Sequence, residues 1–323
     1  MMAGEIVPVG GRIDRPADLQ INSGDPRMNR TSSAPTMMFA SSLSGRPLPF
    51  GSSLELELRG GDRLGPGGIV CDLELEWEPE LMHAVGEACA NQRIRGRDWF
   101  TMPPMALGGP AGAGRTHMAR RLARAAGVPH IMFDATTWMF TWRCSGPDVR
   151  LPLPIATAMA VSGCANPVVS VTGVQQASPA MIDLLVRLID PTRNGSFIDE
   201  ALGAVVDYSA VNWVVQVPQP VKAAAHRPTN FFREKDATPA EIPDRLKPHL
   251  LHVGLQDAEP AHFDLLVIDV LAEVLGDLGQ ALPPSIDLED LFAQLGQLRD
   301  PSMLELYDRL EQTVRRHSDE HPL

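Results

Sequence analysis

Residues 105–120 read MALGGPAGAGRTHMAR, an apolar run that meets a glycine-rich loop and opens straight into an amphipathic helix. Gly109, Gly112 and Gly114 let a tight loop turn its N–H groups inward, and the following helix aims its positive N-terminal end at the same anion. That is phosphate-binding chemistry. Pro110, Ala111 and Ala113 fill the loop between the glycines, Thr116 stands where such a loop places its magnesium-coordinating hydroxyl, and His117 follows on the first helical turn. The position before Thr116 ordinarily holds lysine and here holds Arg115, which keeps the charge but exchanges a compact ammonium for a planar fork on a longer stem. Two uses fit these residues: holding a nucleotide phosphate, or only permitting a strand-to-helix turn.

A loop of this kind needs a strand before it and a helix after it. The apolar stretch 102–107 predicts that strand, and 116–126 the helix, ended by Gly127 as C-cap. Strand and helix then alternate, as in an α/β domain built on a mostly parallel sheet. Strands are expected at 129–134 (PHIMFD), 167–172 (PVVSVT), 211–217 (VNWVVQV) and 249–253; a short helix at 156–162; and a helix at 178–189, N-capped by Ser178 with Pro179 at its first position. Residues 79–92 form a helical pattern with Leu81, Met82, Val85 and Cys89 on one face. The Pro- and Ala-rich stretch 218–241 reads as a long surface loop. From residue 260 onward the strands stop, and 263–275, 288–295 and 301–316 are amphipathic helices.

The first 66 residues are rich in Gly, Ser, Pro, Met and Arg without periodicity, so a mostly disordered tail is expected; the alternation at 54–58 fits a strand or a docking peptide. The domain reading is therefore a low-complexity tail at 1–66, an α/β loop-bearing domain at 67–257 and a helical domain at 258–323.

Of the 323 residues 44% are apolar, the composition of a globular chain, and a formal net charge of -12 argues against a surface that neutralises nucleic-acid phosphates. The four cysteines, Cys71, Cys89, Cys144 and Cys164, form no C-x-x-C pair, which predicts reduced, buried thiols and no metal site. The nine histidines form no ligating motif, and Ser162 and Ser170 have no recognisable His and Asp partners. No signal pattern or membrane-length apolar run is present, so the expectation is a cytoplasmic protein with no membrane partner.

Taken in order, the blocks of this chain resemble the AAA+ module of Lon-type proteases over residues 75–317. GCANPVVSVTGVQQAS at 163–178 resembles the stretch in which Asn-Pro opens the Walker B strand; LIDPTRNGSFIDEALGAVVDYSAVNWVV at 188–215 resembles the run that leads to sensor 1; IPDRLKPHLLHV at 242–253 resembles the stretch before the helical lid. The resemblance implies an AAA+ P-loop fold, with a parallel sheet flanked by helices and then a small all-helical lid, and implies ATP as ligand at Gly109–His117. The resemblance stops at the lid, with the last residue at Leu323, so the family's protease domain with its Ser-Lys dyad is not expected.

Each hydrolytic position carried over by the resemblance is changed. Thr172 and Gly173 stand where the family has the Walker B Asp and Glu, one of which holds Mg²⁺ and the other polarises water. The sensor 1 position falls at Pro218, with Gln216 two residues earlier; the arginine finger falls at His249, with Arg245 nearby; sensor 2 falls at Met303 or Leu304, flanked by Arg299 and Arg309. Trp138, Phe140, Trp142 and Arg143 crowd the position of the pore loop, where they serve either as core and interface or as a substrate grip. LELEWEPEL at 73–81 reads as a solvated acidic face, or a docking peptide. With each lost electrostatic group worth roughly 10²-fold to 10³-fold in rate, the expectation is a pseudo-ATPase that binds nucleotide weakly, keeps little Mg²⁺ affinity, and acts as scaffold or regulatory subunit for a protein partner or an AAA+ paralogue in a ring. The alternatives are a weakly active ATPase and an interaction domain without nucleotide.

Overall fold

A computed structural model of the chain describes residues 34–45, 48, 52–65, 67–73, 78–109, 114–136, 152–218, 242–255, 263–283, 286–295 and 303–320. Of the surface loop expected at 218–241, Pro218 instead ends a strand and 219–241 lie outside them, as do the aromatic cluster at Trp138, Phe140 and Trp142 and residues 1–33 of the tail.

The protein is α/β. Five parallel strands, β3 (Met105–Gly109), β4 (His130–Asp134), β5 (Val168–Thr172), β8 (Asn212–Pro218) and β9 (Leu251–Gly254), form one sheet in the order β4-β5-β8-β3-β9. The loop-bearing strand β3 therefore lies between the last two strands, rather than beside β4 as it would in a doubly wound sheet. Strands β3 and β5 read as continuous apolar runs because helices cover both faces of the sheet. On one side α1 (Ile69–Leu73), α2 (Pro79–Ile94) and α3 (Arg115–Ala126) share a core with Met105, Leu107 and Val214. On the other, α4 (Pro154–Ser162) and α5 (Pro179–Ile189) bury Ile155, Met159, Met181 and Leu185 against Val169, Val171 and Val215. Each such side chain contributes roughly 1.5–3 kcal/mol on leaving water.

Helix ends follow the local chemistry. Ser178 Oγ accepts from the Met181 N–H at 3.2 Å ahead of Pro179, and Gly127 closes α3 at φ 66°.

The tail expectation is corrected from residue 34 onward. Thr36–Ser42 is strand β1 and Ser53–Glu57 is strand β2, and they join β6 (Phe197–Asp199) and β7 (Ala204–Val206) in an antiparallel sheet of order β2-β1-β7-β6. The alternation at 54–58 is thus a strand, with Leu56 buried. A register shift between Met38 and Ala40 breaks the alternation of β1 and turns both Phe39 and Ala40 inward, which hides the strand from a period-two reading. What holds β1 is remote: Ala40 pairs with Val206, and Phe39 packs edge-on against Tyr208 at 6.2 Å. Cys71 is also a correction, since it is exposed, whereas Cys89 and Cys164 are buried as expected; Cys144 is outside the described residues.

The C-terminal helices are α6 (Phe263–Leu278), α7 (Leu288–Leu295) and α8 (Met303–Glu320). Val267, Val270 and Val274 of α6 and Leu306, Leu310 and Val314 of α8 belong to the same core cluster as α2 and α3.

Candidate functional site

The glycine-rich loop leaves the C-terminal end of β3, whose residues are all buried, and re-enters the described chain at Gly114, the N-cap of α3. Pro110, Ala111, Gly112 and Ala113 lie outside the described residues. Ligand sites in open parallel sheets form at this carboxyl edge, next to helix N-termini.

The side chains around the start of α3 define the chemistry. Thr116 Oγ1 donates to Gln216 Oε1 at 3.1 Å, Gln216 being the partner of Leu107 across the β3–β8 ladder. Gln216 is only 7% exposed, and its Nε2 has no hydrogen-bond partner among the described residues; an unmet buried amide costs about 1–3 kcal/mol. Arg115 Nη1 donates to the carbonyl of Gly109 at 2.5 Å, folding the guanidinium back across the loop it follows, and burial draws its pKa below the ordinary guanidinium value.

His117 points the other way, into α6. Its Nε2 lies 2.7 Å from Asp269 Oδ2 and its Nδ1 bonds Glu273 Oε2, with the ring 8% exposed. Two carboxylates facing both ring nitrogens require both to carry protons, so the ring is an imidazolium. Burial pushes its pKa down, but the hydrogen bonds and charges of Asp269 and Glu273 outweigh burial and hold it above the usual histidine value. Arg120 Nη1 donates to Glu273 Oε1 at 2.8 Å and Arg121 Nη1 to Asp269 Oδ2 at 2.6 Å. Tyr307 of α8 extends the network, donating to Asp277 Oδ2 at 2.7 Å; burial and then Asp277 push its pKa up to about 12.

A cavity of about 440 Å³ opens at this junction, within the range of small-molecule sites. Gly114, Thr116 and Gln216 line it from the sheet and the helix start; Val270 and Glu273 of α6 and Tyr307 of α8 line it from the C-terminal helices.

The described residues offer a metal few ligands. Thr116 Oγ1 keeps its lone pairs while donating its proton to Gln216, but Thr172 ends β5 with a neutral side chain. Gly173 adopts φ 71°, and a Cβ there would meet Thr136 Cγ2 at 2.7 Å and Asp134 Oδ1 at 3.0 Å. A side chain at that position is therefore strained by the left-handed backbone and crowded by the side chains of Thr136 and Asp134. Asp134 ends β4, three strands from β3 and so about 14 Å away by strand spacing, and it accepts from the N–H and hydroxyl of Thr136. Among the described residues no group of three His, Cys, Asp or Glu could hold a metal ion.

Arg245, one of the two positions carried over for an arginine finger, pairs with Asp183 of α5, and His249 ends a 3₁₀ turn over Lys247–His249. Arg309 lies 3.9 Å from Glu305 along α8; Arg299 is outside the described residues. Ser170 does have a histidine partner, contrary to expectation: His130 Nε2 lies 2.7 Å from its Oγ. Ser170 is fully buried in the sheet, where no substrate reaches it. Cross-strand packing, not a sequence motif, creates that pair.

Sequence reasoning missed the acidic face of α6. Its signal is Asp269, Glu273 and Asp277 at i, i+4 and i+8 on a largely apolar helix, opposite a basic face at His117, Arg120 and Arg121.

The chain is thus an α/β protein with a five-stranded parallel sheet flanked by helices and a candidate anion site at the carboxyl edge. No family model matches the sequence, and no curated protein matches it. Among the described residues no helix is long and apolar enough to cross a membrane.

Proposed function

We propose that this protein is a Lon-like AAA+ P-loop module that binds nucleotide and does not hydrolyse it at a useful rate, acting in the cytoplasm as a scaffold or regulatory subunit beside a protein partner or an active paralogue in a ring. The observation that carries this reading is Thr172 followed by Gly173 at the end of β5, where hydrolysis needs carboxylates and a side chain at Gly173 would be strained by its positive φ and crowded by Thr136. The start of α3 and the cavity beside it support a bound phosphate. The position of β3 between β8 and β9, followed by the glycine loop and α3, supports the P-loop layout. The ion pairs from α3 to α6 support α6–α8 as a helical lid seated on the loop helix.

A second reading, an interaction domain that holds no nucleotide, is favoured by Arg115 folding onto the Gly109 carbonyl. One pair of measurements on the full chain separates the readings: titration with a fluorescent ATP analogue, and phosphate release under the same conditions. Saturable binding without turnover is expected. Turnover abolished by Thr116→Ala would establish an ATPase instead, and no binding at millimolar nucleotide would leave the interaction domain.

A further inference from the structure

Charged side chains join α3 to α6. Arg120 Nη1 reaches Glu273 at 2.8 Å and Asp277 at 3.4 Å, and Arg121 Nη1 reaches Asp269 at 2.6 Å. Between them lies the His117 ring, with Asp269 on Nε2 and Glu273 on Nδ1. A neutral imidazole has one N–H and one lone pair. Loss of its proton therefore sets a lone pair against a carboxylate at a position where neither group can turn to water. Of the three cations His117 is the least exposed, 8% against 13% for Arg121 and 35% for Arg120, so its charge is screened least.

The other charged groups at the junction are Arg115 at the start of α3, Asp308 and Tyr307 of α8, and His130 of β4, which feels the charges of Arg120 and Glu273. Burial and then Arg120 lower the pKa of His130 to about 4, and burial and then Asp277 push that of Tyr307 up to about 12. Burial raises the pKa of Glu273, but His117 and Arg120 outweigh it and hold the carboxyl below its usual range. His117 moves the other way: burial lowers its pKa, and the bonds and charges of Asp269 and Glu273 outweigh burial and raise it above the usual histidine value. The ring is thus charged below pH about 6.5 and loses its proton as pH rises through the folded pKa.

The carboxylate that grips the ring also walls the cavity. Glu273 and Val270 of α6, with Tyr307 and Asp308 of α8, form one side of it, and Gly114, Thr116 and Gln216 the other. Resting on the nucleotide reading above, we infer that His117 is a proton-dependent latch on this site: the imidazolium holds α6 against α3 and keeps the cavity closed, and its deprotonation lets α6 part from α3 and opens the cavity to exchange. Such a device ties ligand exchange to proton concentration, with no hydrolytic step to drive the opening.

The test reads opening and nucleotide separately in the full chain. Val270 lines the cavity and is 1% exposed, so a Val270→Cys thiol reports opening through its reaction with iodoacetamide, followed at its own peptide by mass spectrometry. The reaction is run at about pH 6 and about pH 9, with His117 and with His117→Arg, whose cation does not titrate; comparison at one pH cancels the reactivity of the thiol itself. Expected is equal labelling at the lower pH and, at the higher, labelling at least about tenfold slower in His117→Arg, with the buried Cys89 and Cys164 unchanged as gauges of unfolding. Equal labelling at the higher pH in a variant of unchanged denaturation midpoint overturns the latch, as does a parallel rise at Cys89 and Cys164. Stopped-flow release of a fluorescent ADP analogue from the native chain needs no variant: the rate is expected to rise at least about tenfold between the two pH values, and a flat rate overturns the latch. The expected labelling with no analogue bound at millimolar concentration keeps the latch and overturns the nucleotide reading.

Discussion

His117 and Asp269, 152 positions apart in the chain, meet through the imidazole Nε2 and a carboxylate oxygen at 2.7 Å, so the helix that starts at the glycine loop is tied by charge to the C-terminal helices. Asp269 is also bonded by Arg121, and Glu273 on the other ring nitrogen by Arg120. The folded ring holds its proton above the unfolded histidine value. Its stabilisation is therefore complete below pH about 6.5, where both states are protonated, and is lost as pH rises through the folded pKa. Glu273 sets the acid edge. Burial pushes its carboxyl up but His117 and Arg120 outweigh that and hold it below the usual value, so its share is present above pH about 4.5 and is lost in acid. The melting temperature is expected to decline on the alkaline side of pH 6.5. In His117→Asn that alkaline slope disappears and stability at pH 6 falls by about 2 kcal/mol, read from urea unfolding. An unchanged slope in the variant would show that another group titrates.

His130 runs in the opposite sense. Burial, then the charge of Arg120, lowers its pKa to about 4, so the ring beside Ser170 is neutral at pH 7. Its contribution is present above the unfolded value of about 6.5 and is lost as pH falls toward 4. The imidazole proton resonance of His130 is expected to titrate near pH 4 and to show no inflection near 6.5; a midpoint near 6.5 would mean a solvated ring.

Gly173 tests the closed end of β5. Gly173→Ala is expected to cost about 1–3 kcal/mol, from the left-handed backbone and the 2.7 Å approach to Thr136. Gly173→Glu should cost more and yield no phosphate release. Equal stability of Gly173→Ala and the wild-type chain in a denaturant titration would contradict the fit argued above.

Asn166 knots three segments. Its Oδ1 accepts from the Arg59 N–H at 2.8 Å, and its Nδ2 donates to the carbonyls of Arg59 at 2.9 Å and Phe100 at 2.7 Å, all at zero exposure of the side chain's residue. Asn166→Ala strands backbone groups in the core and is expected to cost about 3 kcal/mol or more, whereas the partly exposed Thr36→Ala should change stability by under about 0.5 kcal/mol. Comparable midpoints for the two variants would overturn this account.

The parallel-sheet strands and their helices were legible in the residues because their signals are local. An apolar run such as VVSVT must be buried on both faces, Ser178 before Pro179 must cap a helix, and Gly127 must end one. The candidate loop was legible for the same reason, since glycine spacing and a following helix are neighbours in sequence. The N-terminal strands were not, because β1 is held by Val206 and Tyr208 and carries a register shift that erases its alternation. His130 with Ser170, and Thr116 with Gln216, were equally invisible: each pair is made by strand register or by a helix crossing a sheet.

By itself, then, the sequence determined the elements of the parallel sheet with its helices, the glycine loop and the absence of carboxylates at Thr172 and Gly173, since propensity, capping and side-chain chemistry belong to single residues and their near neighbours. Only the tertiary structure decided that Arg115 folds onto Gly109, that His117 turns from the loop to two acids on α6, and that Gln216 keeps an unmet amide beside the cavity. The last two outcomes depend on which charges and donors meet across 100 or more positions of chain, and on burial that makes each unpaired group costly.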